Sequence, residues 1–172
     1  MKPPPERISR SRWAAIRLFA MDVDGVLTDG TLYLSSAGTE TKRFSVLDGM
    51  GLRRVIHAGF EIAWISGRAS EATTLRAKEL GIAHVIQGRT DKLSALKDLA
   101  GRLKLAAAQC AYAGDDDIDA PAILWAGIGA SVPDAHAEAL AAADCVTRRH
   151  GGRGAVREIC DQLLAARRAR SK

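Results

Sequence analysis

The sequence is short of cysteine, of long apolar runs and of histidine in any ligand-like spacing, and each shortage removes a class of protein. Only Cys110, Cys145 and Cys160 occur in 172 residues. They are odd in number, widely separated and form no Cys-x-x-Cys pair, so they predict free thiols in a reducing cytosol rather than a disulfide framework or a zinc staple. A chain of this length should bury roughly 70% of its unfolded surface and needs no such staple. No stretch approaches the roughly 18 apolar residues of a membrane span. The N-terminus, beginning Met1-Lys2-Pro3-Pro4-Pro5, lacks the apolar core of a secretory signal. A soluble protein that stays in the cytoplasm is expected. His57, His84, His136 and His150 are scattered along the chain and receive no role.

The net charge of +5 raises the question of nucleic acid, and its distribution answers it. Lys2, Arg7, Arg10, Arg12 and Arg17 set against Glu6 make the N-terminal end strongly basic, and Arg167, Arg168, Arg170 and Lys172 do the same at the other end. What remains for the body is mildly acidic. Trp13 is the only aromatic in either end, so neither shows the mixture of clustered cations and stacking rings that a nucleic-acid footprint requires. No nucleic-acid or membrane partner is expected. Residues 1–15 read as a basic, flexible segment, 16–166 as the folded domain and 167–172 as a basic tail.

Within the domain, short apolar runs alternate with helical patterns. Ile16 to Met21, Phe60 to Ile65, His84 to Ile86, Cys110 to Ala113 and Ile128 to Val132 predict strands, with Cys145-Val146 as a sixth. Gly49 to Ala58, Ala69 to Leu80, Lys92 to Leu103, Ile118 to Trp125, Asp134 to Ala142 and Gly154 to Arg168 predict the helices between and after them. That rhythm implies an α/β fold, a doubly wound parallel sheet with helices on both faces. One segment, 30–46, breaks it: two β-leaning arms around Ser35-Ser36-Ala37-Gly38 predict an inserted hairpin.

The chemistry-bearing residues fall where strands end. Asp22 and Asp24 follow the first strand, two residues apart, with Gly25 to let the chain turn. They make either a carboxylate pair facing one pocket or a polar turn. Ser66, in Ser66-Gly67-Arg68, follows the second strand, where a hydroxyl and nearby N–H groups suit an anion or simply cap a helix. Lys92 opens the helix after the third, where a cation opposes the helix dipole unless an anion is present. Asp115, Asp116, Asp117 and Asp119 crowd the turn after the fourth, and such packing is repulsive unless a cation relieves it. An oxygen-only ligand set suits Mg²⁺. Carboxylate pair, hydroxyl, lysine and acidic cluster, each behind its own strand, converge on the sheet's carboxyl edge, where ligands bind in such folds.

In this order the residues resemble the motifs of the haloacid dehalogenase superfamily of phosphotransferases, from about Ile16 to Leu164. Within it the chain is similar to a subgroup of small enzymes with a hairpin in place of a cap domain, which act on 3-deoxy-D-manno-octulosonate 8-phosphate in lipopolysaccharide precursor synthesis. The stretches that carry this are Asp22 to Gly30, Asp48 to Gly51, Ser66 to Arg68, Gly114 to Pro121 and Gly151 to Asp161. The resemblance implies a phosphoric monoester hydrolase with Asp22 as nucleophile, Asp24 as acid and base, and Lys92 in catalysis. Ser66, Gly67 and Arg68 would bind substrate. Mg²⁺ would be held by Asp22, the carbonyl of Asp24 and Asp115, supported by Asp116 and Asp119 behind it. It also implies a homotetramer in which the hairpin of one subunit covers its neighbour's site. A phosphatase for a nine-carbon sugar acid, such as an N-acylneuraminate 9-phosphate, and a non-catalytic scaffold of the same fold are the alternative readings.

Overall fold

The apolar runs become six parallel strands in the computed structural model, which describes residues 2–168. They are β1 (Leu18–Met21), β4 (Glu61–Ile65), β5 (His84–Ile86), β6 (Cys110–Ala113), β7 (Ile128–Ser131) and β8 (Cys145–Val146), in the order β5-β4-β1-β6-β7-β8. Successive side chains of β1 point to opposite faces, and the core divides accordingly. Phe19 and Met21 join one apolar cluster with Trp64, Leu52, Ile159 and Leu163, while Leu18 and Ala20 join another with Ile65, Tyr112, Leu96 and Ile123. Helices α1 (Arg10–Ala15), α2 (Val46–His57), α3 (Glu71–Leu80) and α7 (Ala155–Arg168) cover the first face, and α4 (Lys92–Arg102), α5 (Ala120–Trp125) and α6 (Ala137–Ala142) the second. The chain builds outward from β1 to β4 and β5, then returns to its other side through β6, β7 and β8. That reversal opens a crevice beside the carboxyl end of β1.

In α7 the buried residues Val156, Ile159, Cys160, Leu163 and Ala166 recur at helical spacing and pack on α2. Gly51 lets the two helices approach, since a Cβ there would lie 2.9 Å from Arg157 Cδ. Asp48, buried in the first turn of α2, accepts from the N–H of Gly154 at 3.1 Å and of Arg157 at 2.8 Å, which satisfies free donors at the start of α7. Gly152, with φ +63°, donates to Val26 O at 3.0 Å, and a side chain on Gly151 would strike the backbone of Gly25. The Gly151 to Gly154 loop therefore braces the turn that follows Asp22 and Asp24.

The N-terminal segment is the main departure from expectation. Rather than fraying, it packs against the domain through α1: Trp13 is buried and donates its indole N–H to Pro5 O at 3.1 Å. Arg12 reaches Gly127 O at 2.6 Å and Asp144 Oδ2 at 2.8 Å, and Val146 N–H donates to Pro3 O at 3.2 Å along the edge of β8. Arg12 and Arg17 are spent on carbonyls and a carboxylate, while Lys2, Arg7 and Arg10 stay exposed. At the other end, Arg167 lies 5.1 Å from the Phe60 ring, while the expected tail beyond Arg168 lies outside the described residues. The hairpin is present as β2 (Tyr33–Leu34) and β3 (Glu40–Thr41), shorter than expected because Ser45 already caps α2.

Candidate active site

At the end of β1 the Asp22 carboxylate is buried, and its Oδ1 lies 2.9 Å from Lys92 Nζ. Lys92 begins α4 but does not face water: its side chain is fully buried, and Nζ also donates to Asp119 Oδ1 at 3.1 Å. Two carboxylates thus supply the negative charge whose absence made a lysine at a helix start unfavourable. They hold its ammonium above the ordinary lysine range, although burial pulls the other way.

Asp22, Asp115 and Asp119 bring ligand oxygens within 4.8 Å of one another. Asp119 is already saturated. Its Oδ1 accepts from Lys92 and, at 2.7 Å, from the Tyr112 hydroxyl; its Oδ2 accepts from the N–H groups of Asp115 and Asp116, both at 3.1 Å. This carboxylate folds back over Gly114, where a side chain would overlap it. It shapes the loop that presents Asp115. Asp115 differs: its Oδ1 is buried with no hydrogen-bond partner. Burial, then the charges of Asp22 and Asp119, push its carboxyl up to about 8, and burial with Asp119 pushes Asp22 up to about 7. An orphaned acceptor on one of two neighbouring carboxylates that resist ionising fits a divalent cation, and hard oxygen donors fit Mg²⁺.

The other candidate residues have partners of their own. The Asp24 carboxylate lies outside that acidic group and is gripped by Lys42 Nζ at 2.6 and 2.8 Å. Asp116 is exposed, caps Asp117 N–H at 2.8 Å, and reaches Asp115 only through its charge. Ser66 is buried and accepts from Arg68 N–H at 3.2 Å, but it is not the helix cap, because Ser70 caps α3. Gly67 lies in the same turn, where a Cβ would meet Ile118 and Thr90 at 3.7 Å, an ordinary contact. The Arg68 guanidinium donates to Glu40 Oε2 at 2.8 Å, so its carboxylate partner here is the hairpin's own.

Sequence reading missed Lys42, Glu40 and Tyr112. Tyr112 occupied a strand position that reads as core, and it is core except for its hydroxyl. Lys42 and Glu40 had only the alternation of the second hairpin arm as a signal.

A haloacid dehalogenase-like hydrolase model matches residues 62–159. The 3-deoxy-D-manno-octulosonate 8-phosphate phosphatase KdsC of Escherichia coli (strain K12) is 47% identical over 151 residues, covering 88% of this chain and 80% of that protein. This chain belongs to the haloacid dehalogenase-like hydrolases. Among solved structures of such hydrolases, that of the 3-deoxy-D-manno-octulosonate 8-phosphate phosphatase from Moraxella catarrhalis, in complex with magnesium ion, phosphate ion and a KDO molecule, is 47% identical. It covers 92% of this chain and 91% of its own, with a TM-score of 0.91. The cobalt-bound deoxy-D-mannose-octulosonate 8-phosphate phosphatase of Haemophilus influenzae is 38% identical, covers 91% of each chain and has a TM-score of 0.87. The sheet with helices on both faces and no cap domain is shared with these hydrolases.

Proposed function

We propose that this chain is an Mg²⁺-dependent phosphatase that hydrolyses 3-deoxy-D-manno-octulosonate 8-phosphate to the free sugar acid and phosphate, in lipopolysaccharide precursor synthesis. Residues 16–166 form its catalytic domain. The observation that carries the reading is the convergence of Asp22, Lys92 and the orphaned Asp115 oxygen at the carboxyl end of the sheet, in a chain so similar to phosphatases of that substrate.

Unaided phosphate monoester hydrolysis is among the slowest reactions known, and positioning with charge stabilisation supplies most of its acceleration. Asp22 attacks: a carboxylate oxygen bonds to phosphorus, the ester P–O bond breaks, and Asp24 gives its proton to the departing sugar oxygen. Asp24 then takes a proton from water as that water attacks the aspartyl phosphate, and phosphate leaves with Asp22 restored. Lys92 stays beside Asp22 and holds a non-bridging oxygen, with the Ser66 hydroxyl on the other side. Asp22, the Asp24 carbonyl and Asp115 would hold Mg²⁺, which when bound supplies positive charge between nucleophile and phosphate. Asp119 fixes Asp115 and Lys92 from behind, the Gly67 backbone meets substrate beside Ser66, and Arg68 meets the sugar acid's carboxylate.

The assembly is read as a homotetramer and the location as cytoplasmic. Exposed Leu32, Tyr33, Leu34, Val46, Leu47 and Met50 on the hairpin and the start of α2 support assembly. No helix among the described residues is long and apolar enough to cross a membrane.

Phosphate release across eight- and nine-carbon sugar-acid phosphates, with and without Mg²⁺, tests the reading, beside Asp22→Asn and light scattering. Turnover should be highest on the eight-carbon substrate, require Mg²⁺ and vanish in Asp22→Asn. Preference for a nine-carbon substrate would replace the substrate, and multiple turnover by Asp22→Asn would remove the nucleophile.

A further inference from the structure

A fully buried lysine from outside the motifs demands explanation, because an ammonium leaves water only when something inside replaces its hydration. The Lys42 side chain has no exposed surface, and its Nζ donates to both oxygens of Asp24, at 2.6 and 2.8 Å. Lys42 follows β3, and side chains two apart on an extended strand share a face. Glu40, Lys42 and Phe44 accordingly all turn inward. Glu40 accepts from Arg68 at 2.8 Å and from the Ser70 hydroxyl, and lies 3.9 Å from Lys42 Nζ. The Phe44 ring stacks on Trp64, with 6.2 Å between centroids. The residues between face away, and Arg43 pairs with Asp29 at 2.7 Å. The hairpin is therefore anchored in its own subunit, and one continuous chain of charges runs from Asp24 through Lys42 and Glu40 to Arg68.

We propose that Lys42 is a positioning residue for proton transfer: it fixes the Asp24 carboxylate in one orientation, so that the carboxyl meets the leaving oxygen of substrate bound in the same subunit. This rests on the reading of Asp24 as acid and base. A carboxylate held by two contacts to one ammonium keeps a single rotamer, whereas a free aspartate turns among several. The hydrogen bonds of Lys42 Nζ both go to Asp24, so its effect on proton transfer passes through that carboxylate. In its acid form Asp24 carries the proton on one oxygen and accepts from Lys42 on the other. The proton passes to the sugar oxygen as the P–O bond breaks, and the carboxylate left behind takes both contacts to Lys42. The water that attacks the aspartyl phosphate returns the proton to Asp24, so Lys42 gains and loses nothing.

Leaving groups expose such a role. A sugar alkoxide cannot depart without a proton, whereas 4-nitrophenolate can. Initial rates with 3-deoxy-D-manno-octulosonate 8-phosphate and with 4-nitrophenyl phosphate should be measured for wild type, Asp24→Asn, Lys42→Met, Lys42→Arg and the double variant Asp24→Asn/Lys42→Met. Lys42→Met should lower kcat on the sugar phosphate by roughly 10- to 100-fold, a part of what general acid catalysis is worth, and lower kcat on the aryl phosphate only about threefold or less. Lys42→Arg should restore part of the loss. The double variant should be no slower on the sugar phosphate than Asp24→Asn alone, as expected for two residues acting as one unit.

Equal losses on both substrates in Lys42→Met would overturn the positioning role and leave Lys42 a structural residue. Should that variant not fold, because it leaves the partly buried Asp24 charge without its partner, the double variant carries no such charge and still decides: slower turnover than Asp24→Asn would refute the proposal. If Asp24→Asn itself fails to discriminate between the substrates, the acid and base assignment falls and the role of Lys42 with it. If only Lys42→Met fails to discriminate, the assignment stands and the proposal alone is lost.

Discussion

Replacing Asp115 by asparagine should make the metal-free protein more stable while abolishing its response to Mg²⁺. Burial and three neighbouring carboxylates push Asp115 up to about 8 from 3.8. Between those values the folded chain keeps a proton that the unfolded chain has released. Stability from this group is therefore full below about pH 4 and declines as pH rises toward 8. At pH 7 the folded carboxyl is still protonated, roughly 3 units above its unfolded value, which at about 1.4 kcal/mol per unit amounts to about 4 kcal/mol. Asparagine has no such proton to hold. If relaxation of Asp22 and Asp116 halves the gain, Tm in EDTA at pH 7 should still rise by roughly 5 °C, at a few degrees per kcal/mol for a chain of this size. Mg²⁺ should raise the wild-type Tm more at pH 8 than at pH 5, because binding must displace fewer protons at the higher pH. Differential scanning calorimetry across that range reads both effects. A wild-type Tm that is flat or rising from pH 5 to 8 in EDTA, with Asp115→Asn no more stable, would refute the assignment of strain to this carboxyl.

Trp13→Ala should cost about 3–5 kcal/mol in urea unfolding, as for other large buried aromatics, since the indole anchors α1 to the core; a loss under about 1 kcal/mol would mean that the N-terminal segment contributes little to the fold. Asp48→Ala leaves the N–H groups of Gly154 and Arg157 without their acceptor and should destabilise by about 1–3 kcal/mol, with hydrogen exchange rising first in residues 151–157.

Local patterns carried the sheet. His84 to Ile86, Cys110 to Ala113 and Cys145-Val146 were readable as strands because apolar β-formers were bounded by turns, and the helices after them because their apolar spacing is regular. The order Asp22, Ser66, Lys92, Asp115 was legible for the same reason, since a parallel sheet delivers every strand end to one edge. The missed ion pairs depended on distant partners. Arg12 meets Asp144 across 132 residues and Lys42 meets Asp24 across 18. Nothing in the charge of either segment distinguishes a free cation from one that will find a carboxylate partner. The start of α2 was missed because Val46 and Leu47, exposed apolar residues, look like the end of a strand.

The charges left over from local pattern explain why the acidic body is not a diffuse property. Asp22, Asp24, Asp115 and Asp119 gather around two buried lysines, Lys42 and Lys92. Each lysine is committed: Lys92 bridges Asp22 to Asp119, and Lys42 holds Asp24. What remains unbalanced is the equivalent of two negative charges, centred on Asp22 and Asp115, the two carboxyls that burial pushes to about 7 and about 8. Two protons balance that excess, and so does one divalent cation. A monovalent ion would leave half of it, and a third lysine would fill the space that the phosphate needs. The demand for a doubly charged, oxygen-seeking ion therefore follows from the count of buried charges and from the one carboxylate oxygen left without a partner.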